Sequence, residues 1–69
     1  TTLFRSIKIG SDCYIGSAVR FAPNSSIANN SLVALGSIVS TQFQNENVLI
    51  GGAPARILKE NYNWKMDVE

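Results

Sequence analysis

The sequence contains no histidine and a single cysteine, Cys13. One cysteine excludes an internal disulfide, and without histidine a zinc site lacks its usual ligands. Cys13 is therefore read as a small buried residue. Charge is also scarce: six basic and five acidic residues leave a formal net charge of +1. That balance points to neither a nucleic-acid partner nor an acidic membrane surface. No apolar run approaches the roughly 20 residues of a membrane-spanning helix, and no signal-peptide pattern opens the chain. The expectation is a soluble, cytoplasmic protein of one domain at most, because 69 residues bury little surface. The chain opens Thr-Thr, not Met, as expected of a piece of a longer protein or a processed product.

What the chain does have is internal periodicity. Written in sixes from Leu3 it reads LFRSIK, IGSDCY, IGSAVR, FAPNSS, IANNSL, VALGSI, VSTQFQ. The first column is Leu3, Ile9, Ile15, Phe21, Ile27, Val33 and Val39, all large and apolar. After Phe4, the second column is Gly10, Gly16, Ala22, Ala28, Ala34 and Ser40, all small. The fifth runs Ile7, Cys13, Val19, Ser25, Ser31, Ser37 and Phe43, small or medium except at its ends. A period of six fits neither a helix at 3.6 nor an alternating strand at 2. It fits a short flat strand and a turn, repeated, with columns one and five facing inward. The small second residue is expected to let the backbone bend, and Asn24, Asn29 and Asn30 fall where turns should lie, asparagine tolerating left-handed backbone. A meander of antiparallel strands would need turns of varying length, and these do not vary over seven units.

The columns resemble the hexapeptide repeat of the left-handed parallel β-helix acyltransferases. "IGSDCYIGS" resembles that family's paired isoleucine-glycine units, "ALGSIVS" its glycine-serine-valine-valine-threonine segment, and "GGAPARILK" the segment that ends the coils. The likeness runs from about Leu3 to Trp64 and is nearest to the sugar and polysaccharide O-acetyltransferases, which often carry an asparagine-tryptophan pair such as Asn63–Trp64. It implies an all-β solenoid, a left-handed parallel β-helix of about two and a half coils over residues 1–53. A helix and tail would occupy 54–69, with Pro54 in the first helical turn. The left-handed winding comes from the resemblance alone, since it runs against the usual crossover rule. Three hexads per coil would stack residues 18 apart. So short a stack, capped at one end only, should need upstream coils, trimerisation or both.

The resemblance further implies acetyl-coenzyme A as co-substrate, bound along the crevice between subunits of a homotrimer, with a sugar as acceptor. The positions matching the family's coenzyme contacts are Ser17, Leu35, Ser40, Thr41, Arg56 and Lys59. Ser17 and Leu35 would stack on one edge, and Ser40 would donate a hydroxyl hydrogen bond. Thr41 stands where the family often has lysine. Arg56 and Lys59, three apart on one face of the expected helix, would meet phosphates through charge-assisted bonds. Tyr14 is expected to pack, and Tyr62 and Trp64 to anchor the tail.

No catalytic residue is assigned and no metal is expected. The family's general base is a histidine that takes the proton from the acceptor hydroxyl, and this chain has none. Its base is expected to lie outside these 69 residues. The alternative is a non-catalytic β-helix module that trimerises or scaffolds. The γ-class carbonic anhydrases share the fold but need histidine ligands. Ice-binding β-helices need a threonine ladder, and threonine occurs only at 1, 2 and 41.

Overall fold

The computed structural model describes the backbone of residues 6–67 and the side chains of residues 6–65. The first-column expectation for Leu3 lies outside the described residues. Six two-residue strands follow one another at intervals of six: β1 (Lys8–Ile9), β2 (Tyr14–Ile15), β3 (Arg20–Phe21), β4 (Ser26–Ile27), β5 (Leu32–Val33) and β6 (Ile38–Val39). Two longer strands, β7 (Leu49–Gly52) and β8 (Ala55–Lys59), and one helical turn, α1 (Trp64–Asp67), complete the chain. Strands three apart pair in parallel at an offset of 18: Ile9 with Ile27, Ile15 with Val33, Phe21 with Val39. The result is three narrow sheets, β1–β4, β2–β5–β7–β8 and β3–β6, that form the sides of a parallel β-helix.

Every sixth residue turns the corner. Asp12, Ala18, Asn24, Asn30 and Gly36 all have positive φ, between 58° and 75°. The bend therefore sits in the fourth column of the repeat, not the second. Asn24 and Asn30 occupy it as expected, whereas Asn29 does not: its Oδ1 accepts from the Ser11 N–H at 2.8 Å, bracing two coils. The second column is small for a different reason. A Cβ on Gly16 would lie 2.6 Å from the Leu35 backbone nitrogen, so neighbouring coils meet there.

Inside, Ile27, Val33, Val39, Val48, Ile50 and Ala55 form the buried core. Ser25, Ser31 and Ser37 from the fifth column are also buried, each donating its hydroxyl to the carbonyl three residues back. Each buried hydroxyl thus has the partner it needs. The repeat predicts burial of the first column from Ile9 to Val39, and its lower members are not buried. Ile9 is 47% exposed and Ile15 and Phe21 are half-buried, because among the described residues no coil lies beneath them.

Two departures shape the other end. The third coil is shorter: Ser26 bridges Gln42, an offset of 16, and Leu32 pairs with Leu49, an offset of 17. Only Ser40 and Thr41 separate β6 from that bridge, so Phe43 leaves the fifth-column place that its hexad gives it. It packs against the core instead, with its N–H donated to the Ser26 carbonyl at 2.8 Å. Ser25, buried in the fifth column one coil below, leaves little room for a phenyl ring.

The second departure corrects the helix expected from Pro54. Residues 55–59 are strand β8, antiparallel to β7, and the helix begins only at Trp64. The reversal runs through Gly52, at φ 104°, and the cis Ala53–Pro54 bond. After it, Ala55 and Ile57 alternate inward over the core while Arg56 and Leu58 point out, a period of two. The strand also covers the β7 edge that would otherwise be unpaired. This antiparallel pair lies beyond the repeats and leaves their parallel register intact.

The corner geometry gives a local test. Ala18 holds φ 59° at a steric cost that glycine lacks, about 1–2 kcal/mol before glycine's larger entropy loss is subtracted. Ala18→Gly should therefore stabilise the chain by about 0.5–1 kcal/mol. Gly36→Ala should destabilise it by a similar amount, although a Cβ there would meet nothing within 4 Å. Urea midpoints of the two variants should move in opposite directions, and equal shifts would contradict the corner assignment.

Candidate functional site

The three sides meet at three corners, and the candidate residues divide among them. Ser17 and Leu35 share the corner that follows β2 and β5, where the Gly36 N–H donates to the Ser17 carbonyl at 2.9 Å. Both side chains are on the surface, Leu35 at 75% exposure. Next to this corner the pairing aligns Ile15, Val33, Ile50 and Ile57 across four strands. The following residue on each coil is small (Gly16, Ala34, Gly51), and Gly51 pairs with Arg56 on β8. A row of small residues thus leads from the first coil to an exposed guanidinium, three strand spacings or about 14 Å along the axis. Leu58 lies over this row, since a Cβ on Gly51 would be 2.8 Å from its Cδ1.

Ser40 and Thr41 belong to the next corner, after β6. The Thr41 carbonyl accepts from the Ser26 N–H at 3.2 Å, and Gln42 Nε2 donates to the Asn24 carbonyl at 3.1 Å. A shallow groove of about 430 Å³ opens beside them, lined by Lys8, Asn24, Ser26, Gln42 and Gln44 among others. Its lining carries one cation and no carboxylate. On a single chain, the Ser17–Leu35 pair and the Ser40–Thr41 pair face different ways.

Arg56 and Lys59 do not share a helical face. On β8 they stand about 10 Å apart along the strand, with Arg56 beside the hairpin and Lys59 at the far end. Lys59 Nζ lies 5.5 Å from the centroid of the Tyr62 ring, a cation–π placement. Among the described residues Arg56 has no ion pair; the one salt bridge there joins Lys65 to Asp12 at 3.5 Å.

The third corner is covered by the C-terminal segment. The Tyr62 N–H donates to the Asn47 carbonyl at 2.7 Å, and the indole Nε1–H of Trp64 donates to the Asp12 carbonyl at 2.8 Å. The Trp64 ring meets Tyr14 edge-on, centroids 5.3 Å apart and planes at 67°. The tail therefore runs down the outside from the third coil to the first. Tyr14 packs, as its place in the sequence suggested, and Trp64 is its partner.

No metal-ligand cluster of three or more His, Cys, Asp or Glu occurs among the described residues. No helix there is long and apolar enough to cross a membrane. Sequence reasoning missed Ser37, whose hydroxyl oxygen receives the Gly52 N–H at 3.2 Å and so touches the bend before Arg56. In the sequence Ser37 looks like any other small fifth-column residue.

No protein-family model matches the chain. It is 39% identical over 54 residues to the galactoside O-acetyltransferase of Escherichia coli (strain K12), a match that covers 78% of this chain and 26% of that protein. Among solved structures, a maltose O-acetyltransferase from Clostridium difficile 630 superposes with a TM-score of 0.74 at 31% identity, over 78% of this chain and 28% of that one. A galactoside acetyltransferase in complex with coenzyme A superposes with the same TM-score of 0.74 at 39% identity, over 78% and 26%. The chain thus spans about a quarter of the length of the relatives it matches.

The tail contact is open to measurement. Trp64→Ala removes an aromatic pair and an indole hydrogen bond, and should cost about 1–2 kcal/mol of stability. Lys65→Ala removes only a half-exposed ion pair and should cost no more than about 0.5 kcal/mol. Thermal melting of both variants distinguishes them; equal effects would mean that the rings do not hold the tail.

Proposed function

Because the chain belongs to the hexapeptide-repeat acetyltransferase family, with homology over 78% of its length, we propose that it forms the coenzyme-binding part of an O-acetyltransferase. The reaction moves acetyl from acetyl-coenzyme A to a sugar hydroxyl. The acceptor oxygen attacks the thioester carbonyl, its proton goes to a general base, and the coenzyme leaves as the thiol. The base is supplied from outside these residues, since the chain has no histidine.

One observation carries the reading: Ser17 stacks under Leu35 at a corner whose ladder leads to Arg56. An extended ligand lying along that corner would meet backbone and small residues first and a guanidinium last. Arg56 can hold a phosphate with two parallel hydrogen bonds, and Lys59 acts as a point charge. Their separation of about 10 Å along β8 suits two separate phosphates, the pyrophosphate and the 3′-phosphate, better than one. Ser40 and Thr41 face another side, so they reach the same ligand only from a second copy of the chain. A closed three-fold arrangement brings one corner of each copy against the next corner of its neighbour, and a homotrimer is proposed on that ground. Thr41, with no charge, contributes at most a hydroxyl contact.

The absence of histidine favours one second reading, a β-helix module that binds or trimerises without chemistry. Calorimetry on the full chain tests the first. Arg56→Ala with Lys59→Ala should weaken coenzyme A binding by about 2–4 kcal/mol, at roughly 1–2 per charge-assisted contact. Binding of the analogue lacking the 3′-phosphate should fall less, and sedimentation of the unmodified protein should give a three-copy mass. Equal binding of both ligands by both proteins would place the coenzyme elsewhere.

A further inference from the structure

Three serines occupy the fifth column in the buried interior, and their hydroxyls make the same local bond. Ser25 Oγ–H donates to the Ala22 carbonyl at 2.7 Å, Ser31 to Ala28 at 2.9 Å and Ser37 to Ala34 at 2.7 Å. Ser31 also shares its hydroxyl with the Asn29 carbonyl at 3.4 Å, but of the three only Ser37 has an oxygen that accepts a backbone N–H, that of Gly52 at 3.2 Å. Gly52 is the residue at φ 104° where the chain turns back from β7 into β8. It pairs with Ala55, and its neighbour Gly51 pairs with Arg56. Ser37 is 1% exposed, so water does not replace its hydroxyl easily.

We propose that Ser37 is a positioning residue for Arg56: its hydroxyl ties the second coil to the hairpin bend and thereby fixes where the guanidinium stands relative to the Ser17–Leu35 corner. The proposal rests on the coenzyme reading above and adds to it a residue that touches no ligand. The physical argument is one of local constraint. β8 pairs only with β7, as the last strand of its sheet, and its start is set by a turn containing a glycine. Without the Ser37 bond, the Gly52 N–H loses its tie to the second coil and the start of β8 is held only from the β7 side. A guanidinium that needs two aligned hydrogen bonds is sensitive to such a shift, whereas a lysine is not.

The column itself supplies a matched pair of variants. Val19 lies one coil below Ser37, so a β-branched side chain is accepted in that column. Ser37→Thr keeps the hydroxyl and Ser37→Val removes it at the same shape. In the full-length protein, Ser37→Val should weaken coenzyme A binding by about fivefold, and Ser37→Thr by less than about twofold. The same two changes at Ser31, whose bonds go to Ala28 and Asn29 and not to the hairpin, should not differ from each other in coenzyme affinity. Arg56→Ala alone should weaken binding about tenfold, and adding Ser37→Val to it should weaken binding no further, because the two residues act through one contact.

If Arg56→Ala binds like the unmodified protein, the coenzyme reading fails and this proposal fails with it. If Arg56→Ala weakens binding but Ser37→Val does not, or the two losses add in full, the positioning role alone is overturned. Amide exchange in the unmodified protein gives a check that does not depend on any variant folding. The Gly52 N–H should exchange slowly, as an amide bonded to a buried hydroxyl does, and fast exchange would overturn the proposal.

Discussion

A left-handed backbone at every sixth residue is the constraint on which the rest depends. Two-residue strands have too few hydrogen bonds to stand alone, and each exists here because the corner before it returns the chain to the next side. Asp12, Ala18, Asn24, Asn30 and Gly36 accept that conformation at unequal cost, least for glycine and most for alanine. Once the corners are set, residues 18 apart must lie over one another, and the interior follows. Branched aliphatics fill the wide first column, serines the narrow fifth, and glycine or alanine the places where coils touch.

The same constraint explains why the functional candidates sit where the repeat stops being regular. The corner with Ser40 and Thr41 is two residues short of its predecessor, which draws Phe43 into the core and resets the register to 17 by Leu49. Two corners on, past Asn47 and β7, the chain does not continue round but reverses through Gly51 and Gly52. These irregularities end the solenoid, cover its last edge and bring Arg56 beside a corner that otherwise carries neutral residues. The tail then returns along the remaining corner to Tyr14 and Asp12, so one corner is closed by the chain itself. The two corners left open are the ones that hold Ser17, Leu35, Ser40 and Thr41.

The regular part of this was legible in the sequence, because columns at a fixed period carry it redundantly. Seven first-column residues outvote any single exception, and the 18-residue stacking needs only counting. What could not be read were single-residue events. Glycine and alanine in the second column suggest a bend there, yet Asp12 and Ala18 show that the fourth column bends. Pro54 suits a first helical turn and a tight hairpin equally, and only pairing with β7 decides between them. A helix would put Arg56 and Lys59 on one face, whereas the strand sets them well apart. Exposure of Ile9 follows from what lies beneath it in space, which no column reports.

On the proposed reading, the coenzyme lies along the two open corners and not along the closed one. Amide hydrogen exchange of the full-length protein, compared with and without coenzyme A, tests it most directly. Added protection is expected in segments 16–18, 34–36, 40–41 and 51–59, with no change around Asp12 and Tyr14. Protection confined to the tail-covered corner, or none on this part of the chain, would contradict it.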